Sequence, residues 1–161
     1  MKQRTKVGGV FQVVCRRSCG KVRWREQAGN RVTNEGLDHL LDVLFSSVQQ
    51  AGFYVGLKGA GAAAADDTLA SHSAWAEVTA YAGDRKAYSP SAAAAGSVSN
   101  AASKARFSIN ADGTEVAGVF LATTASGSAG VLLAVGDFAL LRVCGAGDTI
   151  EVVYTFSAAG A

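Results

Sequence analysis

A length of 161 residues fits a single domain, because a chain of this size buries roughly 70% of its unfolded surface and can build a core unaided. No run reaches the ~20 nearly uninterrupted apolar residues of a membrane span, and the basic start, MKQRTKVGGVFQVV, lacks the apolar core and cleavage site of a secretory signal. We therefore expect no membrane partner, and a product that stays in the cytoplasm or is assembled there.

The net charge of +2 is distributed unevenly along the chain. Residues 1–31 carry nine Lys/Arg and one acid, whereas the remaining residues carry six bases and twelve acids. A basic segment of this kind attracts nucleic acid, an acidic protein surface or the acidic body of a neighbouring copy. The alternative is a solvated strand face that follows a disordered start.

The first elements in chain order form a predicted β-hairpin. Val10–Arg16 and Lys21–Glu26 flank the turn RSCG, and the second run alternates with period two. Val22 and Trp24 fall on one face of it. Because Trp24 is opposite the bases, it belongs to the core, which weakens the idea of a stacking platform for nucleic acid. The opposite face of this strand carries Lys21, Arg23 and Arg25.

The next segment predicts one amphipathic helix, about residues 34–50, near the N-terminus. Thr33 or Asn34 caps its start, and Gly52 closes its end. The apolar positions have the i, i+3, i+4, i+7 spacing of one helix stripe, which predicts a face packed on the core. These positions are Leu37, Leu40, Leu41, Leu44, Phe45 and Val48.

Beyond the helix the apolar period changes from helical to two, so the rest of the chain predicts strands. Gly, Ser and Asp clusters separate them, and no βαβ alternation occurs. The pattern predicts a mainly β fold, an antiparallel β-sandwich that is jelly-roll-like, as a single domain over residues 10–161 behind a basic arm at residues 1–9. The predicted strands are Phe53–Leu57, Lys104–Asn110, Glu115–Thr123, Val131–Val135, Phe138–Cys144 and Asp148–Phe156.

Two of these strands alternate cleanly between apolar and polar residues, which predicts the direction of each side chain. In the strand KARFSIN, one face carries Ala105, Phe107 and Ile109. In the last strand we expect Ile150, Val152, Tyr154 and Phe156 to face inward, and Thr149, Glu151 and Thr155 to face outward.

A glycine–alanine loop follows the strand Phe53–Leu57. By letters alone, the stretch from Gly59 to Ala64 matches the G-x-G-x-x-A pattern of a dinucleotide-binding turn. That motif works at a helix N-terminus inside a parallel sheet, and neither is predicted here. We expect no nucleotide or other cofactor, and interpret the stretch as a small-residue surface loop suited to subunit contact.

Asp66, Asp67, His72 and Glu77 are the candidate acid–base or metal-binding residues. They lack EF-hand spacing, and a serine next to a histidine in sequence is not how a catalytic triad is assembled in space. We interpret the aspartates as turn or cap residues and His72 as a surface or interface group. The sequence therefore predicts no enzyme and no catalytic residue.

Three cysteines, Cys15, Cys19 and Cys144, occur without a paired C-x-x-C motif. A zinc site needs four ligands, and Cys15 and Cys19 offer two, so Cys144 and a histidine would have to complete it from distant positions. We interpret all three as free thiols in a reducing compartment and expect no metal.

Several motifs follow one another in a recognisable order, CGKVRWRE, NRVTNEGLDHLLDVLF, FYVGLKG, AAADDTLASHSAWAEVTAYAGDRKAY, GSVSNAASKARFSIN, EVAGVFLATT, LLAVGDF and GDTIEVVYTF. In this order they resemble a family of small tailed-bacteriophage virion proteins, the head decoration or cement proteins, commonly encoded near the major capsid protein. The resemblance covers about residues 20–156 and depends on the order of the motifs rather than on any single one.

This resemblance implies a structural virion protein that decorates and stabilises the phage capsid shell by binding the major capsid protein. It implies a homo-oligomer, a homodimer or homotrimer, at the capsid surface of the virion after assembly in the host cytoplasm, and no catalytic residue. From the charge asymmetry we predict that contacts to the capsid or a neighbouring subunit are made by Lys2, Arg4, Lys6, Arg16, Arg17, Arg23 and Arg25.

Two alternatives stay open. One is a tail, fibre or other minor virion component with the same sandwich, which the number of copies per particle would separate from a decoration protein. The other is a nucleic-acid binder that uses the basic arm, for which retention on DNA with a steep salt dependence would be the sign.

Overall fold

A computed structural model of the protein describes residues 5–160. Strands and isolated bridges make up 49% of the described residues, which confirms the mainly β prediction. In the described range, no helix has both the length and the apolar character needed to cross a membrane. The helix α1 spans Asn34–Phe45, and the strands are β1 (Thr5–Arg16), β2 (Val22–Gly29), β3 (Arg31–Val32), β4 (Phe53–Lys58), β5 (Glu77–Val78), β6 (Lys86–Tyr88), β7 (Ser97–Ser99), β8 (Ala105–Ser108), β9 (Thr114–Ala122), β10 (Leu132–Cys144) and β11 (Thr149–Gly160).

One sheet, sheet A, joins the two ends of the described chain. β1 pairs along its whole length with β11, from Thr5 opposite Gly160 to Arg16 opposite Thr149. β2 lies on the other side of β1, while β7 and β8 pair with different parts of β11. All of these pairings are antiparallel. Residues 5–9, which the sequence assigns to a basic arm, therefore form the start of β1 and pair with the last strand.

The other sheet, sheet B, has the order β3-β10-β9-β4-β5, and β6 pairs with a second part of β4. Its pairings are also antiparallel. The chain passes from sheet A to sheet B at Asn30, between β2 and β3. Because this crossing takes a single residue, the edge strand β2 of sheet A stays close to β10 of sheet B.

β10 is one interrupted strand where the sequence predicts two separate ones. Its register against β9 jumps between Asp137 and Arg142, and pairing continues on both sides of the jump. Residues 138–141 therefore bulge out of the ladder, as extra residues do when one strand has more than its partner. The bulge carries two exposed apolar side chains, Leu140 and Leu141.

The two antiparallel sheets face each other across one apolar core, so the sandwich prediction is confirmed. The ring of Phe11 on β1 stacks on Tyr154 of β11, with 4.3 Å between the ring centroids. Sheet B contributes Val55, Leu57 and Val119, all fully buried. The inward orientation predicted for the last strand is confirmed by the burial of Ile150, Val152 and Tyr154.

A second apolar cluster lies on the outer face of sheet B, under the loop at residues 59–76. Leu69 and Trp75 from this loop pack onto Phe120, and the two rings have centroids 5.5 Å apart. At Gly61, where φ is +104°, an added Cβ would overlap a carbonyl group of the facing loop segment. Glycine is needed for this close approach between two segments of the same loop.

α1 begins where the sequence predicts and ends earlier. The Thr33 side chain accepts a hydrogen bond of 3.0 Å from the Gly36 backbone N–H, the expected N-cap contact. The helix ends at Phe45 rather than near residue 50, because Ser47 adopts a left-handed φ of 58° well before Gly52. The helix also follows three strands, so it does not lie at the N-terminal end of the fold.

The apolar stripe of α1 does not face the core, which corrects the prediction. The side that meets β10 is narrow, with Gly36 buried against Leu133 and Leu40 packed on the core. His39 is half-buried, and its Nε2 lies 2.9 Å from the Gln50 side-chain oxygen. The other stripe members are exposed, namely Leu37, Leu41, Leu44, Phe45 and Val48.

Candidate functional site

The residues predicted to contact a partner do not all share one surface. Lys2 and Arg4 lie outside the described residues. Arg17 is exposed in the turn between β1 and β2. Three others lie on the outer face of sheet A, namely Lys6, Arg16 and Arg25, whereas Arg23 points elsewhere.

The outer face of sheet A is basic because of strand alternation. Along β1, the odd-numbered residues from Phe11 to Cys15 are buried, so Lys6 and Arg16 project to the opposite side. β8 pairs with β11 and brings two further bases to this side, Arg106 within β8 and Lys104 just before it. The prediction did not include them, although the alternation of KARFSIN already places both outward. We call this surface the basic face, and it consists of Lys6, Arg16, Arg25, Lys104 and Arg106.

Glu151 on β11 organises the basic face. Its carboxylate lies 3.1 Å from Arg106 and 3.6 Å from both Arg16 and Lys104. These contacts confirm its predicted outward orientation and leave it only 9% exposed. Since one carboxylate meets three bases, the surface keeps a net positive charge, and the shared acid restrains the long basic side chains.

An open groove of about 570 Å³ crosses the basic face. Arg25 and Lys104 lie along it together with Gln12 and Gln27. No aromatic side chain is present among the described residues that line the groove, so it lacks a stacking surface for nucleic-acid bases. Glu26 and Glu151 also line the groove, so its lining carries charges of both signs.

Arg23 does not lie on the basic face, because the hairpin of β1 and β2 is irregular. The register between β1 and β2 shifts after Cys15, so that Arg16 faces Val22. Arg23 Nε then lies 2.7 Å from the buried carboxylate of Asp148. Val22 is exposed while Trp24 is buried, so the strict alternation predicted for this strand does not hold.

Cys15 and Cys144 meet in the core beside Asp148. The two sulfur atoms are 3.7 Å apart, and Cys15 Sγ is 3.8 Å from the Asp148 carboxylate. The hydrogen bond between the thiols raises the pKa of Cys15, which burial raises further, and it lowers the pKa of Cys144. Cys19, the sequence neighbour of Cys15, is instead exposed in the hairpin turn. No local spacing signals a pair that is so far apart in the chain.

Among the described residues, Cys15, Cys144 and Asp148 are the one group of potential metal ligands that converges, with all ligand atoms within 4.8 Å of one another. A structural zinc site takes four protein ligands, and this group has three. The Asp148 carboxylate is also paired with Arg23, whose charge opposes a cation. The arrangement therefore suits thiol chemistry better than structural zinc.

Three of the candidate acid–base residues, Asp67, His72 and Glu77, are each held by a contact in or beside the loop at residues 59–76. The Asp67 carboxylate accepts a 2.8 Å hydrogen bond from the Trp75 indole, and the His72 ring stacks on the same indole at 3.9 Å. Glu77 forms a 2.7 Å ion pair with Arg85. Each of these side chains is thus engaged in holding the loop at residues 59–76 or its flank, in agreement with the interpretation of Asp67 as a turn residue.

No protein-family model matches the chain, and no curated protein gives a significant match to it.

Proposed function

We propose that this chain is a structural virion protein that decorates and stabilises the capsid shell of a tailed bacteriophage by binding its major capsid protein. The order of motifs over residues 20–156 suggests this class, and the basic face is the observation that supports a docking surface. On this proposal the protein acts at the capsid surface of the virion, after assembly in the host cytoplasm, and its role requires no catalytic centre.

The basic face suits such a role because it is broad and preorganised. Its residues come from β1, β2 and the β8 strand region, and β1 is paired on both sides, so the charges are fixed relative to one another. A protein that binds the assembled shell and not its dissociated subunits stabilises the shell by mass action. Many weakly bound copies achieve this without a deep pocket.

We also propose that the sandwich is jelly-roll-like. The first strand pairs with the last, and β3 pairs with β10, the strand before the last. Nested pairing of early with late strands is what a folded-over double sheet produces, and this supports the proposal. The complete strand order in an experimentally determined structure tests it.

The test of the docking role mixes purified protein with undecorated capsids and measures co-sedimentation at low and high salt. We expect binding that weakens as salt rises, and a large loss of binding in Arg25→Glu/Arg106→Glu, since like charges then face the acidic partner. Arg31→Glu, an exposed arginine on β3 of the other sheet, is the matched control and should bind normally. If binding changes neither with salt nor in the double variant, the basic face is not the docking surface.

Two further measurements separate this proposal from its alternatives. Hundreds of copies in purified particles support decoration, whereas a few copies support a tail, fibre or other minor component. Retention of the protein on DNA with a steep salt slope would instead support nucleic-acid binding. The groove without aromatic residues favours the protein partner.

A further inference from the structure

Cys15 and Cys144 meet in the interior of the fold although they are 129 residues apart in the chain. We propose that the two thiols bind one soft monovalent metal ion, copper(I), between their sulfur atoms. Thiolate sulfur is the ligand type that selects such an ion, whereas hard divalent ions prefer carboxylate, carbonyl and water oxygen. The inference concerns the core of the sandwich and does not depend on the proposed capsid role.

The fold places both sulfur atoms before any ion binds. Cys15 is paired on both sides within sheet A, opposite Ile150 of β11 and Trp24 of β2. Cys144 is the last residue of β10 in sheet B, where it is paired with Thr114 of β9. The separation of the two sulfur atoms is therefore set by the packing of one sheet on the other. A site that is organised in advance loses little conformational freedom when its ligand binds.

The distance between the sulfur atoms suits one shared ion. A thiolate sulfur lies about 2.3 Å from a bound zinc ion, so two thiolates that share an ion of similar size lie within about 4.6 Å of each other. The observed separation of 3.7 Å is inside this limit. Copper(I) forms stable complexes with two thiolates alone. Zinc takes four ligands in a structural site, and Asp148 would raise the count here only to three.

Asp148 and Arg23 determine the charge beside the two sulfur atoms. The Asp148 oxygen that lies 3.8 Å from Cys15 Sγ also lies 2.7 Å from Arg23 Nε and accepts a 2.9 Å hydrogen bond from the Gly145 N–H. Because this oxygen is already engaged, Asp148 stays outside the ligand set and the ion lies between the sulfurs. Arg23 offsets the charge of Asp148, which would otherwise repel the anionic complex of two thiolates with one monovalent ion.

Binding exchanges two thiol protons for the ion. Two S–H bonds break and two bonds from sulfur to copper form. Both protons pass to solvent, and copper stays in the +1 state, so no oxidant or reductant is consumed. The thiols are screened from water, since Cys15 is 0% and Cys144 1% exposed. Cys144 directly precedes the turn at residues 145–148, where Ala146 is exposed, so local opening of this turn gives the ion a short path.

The test titrates the full chain with copper(I) in oxygen-free buffer, with ascorbate to keep the ion reduced and bathocuproine disulfonate as a coloured competing chelator. Cys19→Ser serves as the parent protein, because the exposed thiol of Cys19 also attracts the ion. We expect the parent to retain one copper per chain against the chelator. X-ray absorption at the copper edge should show two sulfur neighbours, and an excess of zinc(II) should not displace the ion.

Substitutions in the parent identify the ligands. Cys15→Ser and Cys144→Ser should each weaken binding more than about 100-fold, since losing a ligand costs more than losing an outer hydrogen bond to one. Asp148→Asn should keep one copper with two sulfur neighbours. Circular dichroism checks that each variant is folded, and the absorption spectrum of the parent gives the ligand set even if a serine variant does not fold.

Four results would overturn the proposal. They are a parent that loses its copper to the chelator, a serine variant that is folded and binds as tightly as the parent, a copper bound by oxygen in place of sulfur, and displacement of copper by zinc(II). Loss of binding in a folded Asp148→Asn variant would contradict a site made of the two thiols alone. None of these results bears on capsid binding, which is measured without copper.

Discussion

Lys58 Nζ lies 2.8 Å from the Asp137 carboxylate, and the lysine of this pair is fully buried whereas the aspartate is 42% exposed. The same ammonium group donates to the Gly61 carbonyl, and Asp137 accepts a 3.0 Å hydrogen bond from the Ala63 backbone N–H. The pair thus binds the first residues of the loop at residues 59–76 to sheet B. In a dinucleotide-binding turn the loop N–H groups have to donate to a phosphate. Here the Ala63 N–H already donates to Asp137, which does not fit that pattern.

The first prediction concerns Lys58. Lys58→Met keeps most of the volume but removes the donor, so the Gly59 and Gly61 carbonyl groups and Asp137 lose their partner. We expect a loss of about 3 kcal/mol in the free energy of unfolding, as for a broken buried ion pair, and faster proteolysis within residues 59–76. Asp137→Asn leaves the fully buried ammonium group without its counter-charge, so it should also cost about 3 kcal/mol. Lys21→Met, at an exposed lysine, is the control and should change the free energy of unfolding by less than about 0.5 kcal/mol. A loss at Lys58 no larger than the loss at Lys21 would contradict the role of the buried pair.

The second prediction concerns Gly36, where α1 contacts β10. In a helix, Gly→Ala normally gains about 1 kcal/mol. At Gly36 an added Cβ would overlap the Leu133 backbone, so Gly36→Ala should instead lose about 2–3 kcal/mol in urea unfolding. Gly52→Ala, where an added Cβ meets nothing within 4 Å, should change the free energy of unfolding by less than about 0.5 kcal/mol. A gain at Gly36 would mean that the helix does not dock here.

The N-cap and the orientation of α1 show what a sequence pattern can and cannot predict. The cap at Thr33 depends on neighbouring residues, and the sequence predicted it. The orientation of the helix depends on which side fits β10, and a buried glycine such as Gly36 gives no hydrophobic signal. Apolar spacing therefore identified an amphipathic helix but could not tell a side buried in the core from a side exposed to solvent.

The basic face illustrates a similar limit. Alternation was enough to predict Glu151 outward and, by extension, Lys104 and Arg106 on the same side of their strand. Which strands are neighbours depends on long-range pairing. The convergence of Glu151, Lys104 and Arg106 with Arg16 therefore could not be predicted from the local pattern. The cysteine pair is a further case, because Cys15 and Cys144 meet only through the packing of sheet A on sheet B.

The third prediction concerns alkaline pH. Burial raises the pKa of both Tyr81 and Tyr88 from 10.0 to about 12. Because the unfolded chain loses these protons near pH 10 while the folded chain keeps them, stability is fully present below pH 10 and is lost as pH rises toward 12. We expect the free energy of unfolding to fall by about 2 kcal/mol per tyrosine over that interval.

Urea unfolding across this pH range, with tyrosinate absorbance recorded in parallel, checks the alkaline prediction. Tyr81→Phe/Tyr88→Phe should flatten the fall. It should also cost about 1 kcal/mol at neutral pH, since the Tyr88 hydroxyl donates to the Tyr154 carbonyl at 3.1 Å. The explanation fails if the variant loses stability with pH as steeply as wild type.

The last prediction concerns oxidation of the core thiols. A sulfur separation of 3.7 Å means that a small movement lets Cys15 and Cys144 form a disulfide. With diamide as oxidant, two thiols lose two electrons and two protons while the diamide becomes the hydrazine. The bond would close a loop of about 130 residues, so we expect a gain of about 2–4 kcal/mol in the free energy of unfolding, reversed by dithiothreitol. Peptide mapping by mass spectrometry identifies the pair, and Cys19→Ser should behave as wild type. Cys15→Ser should show no gain, and a bridge that instead involves the exposed Cys19 would contradict the prediction.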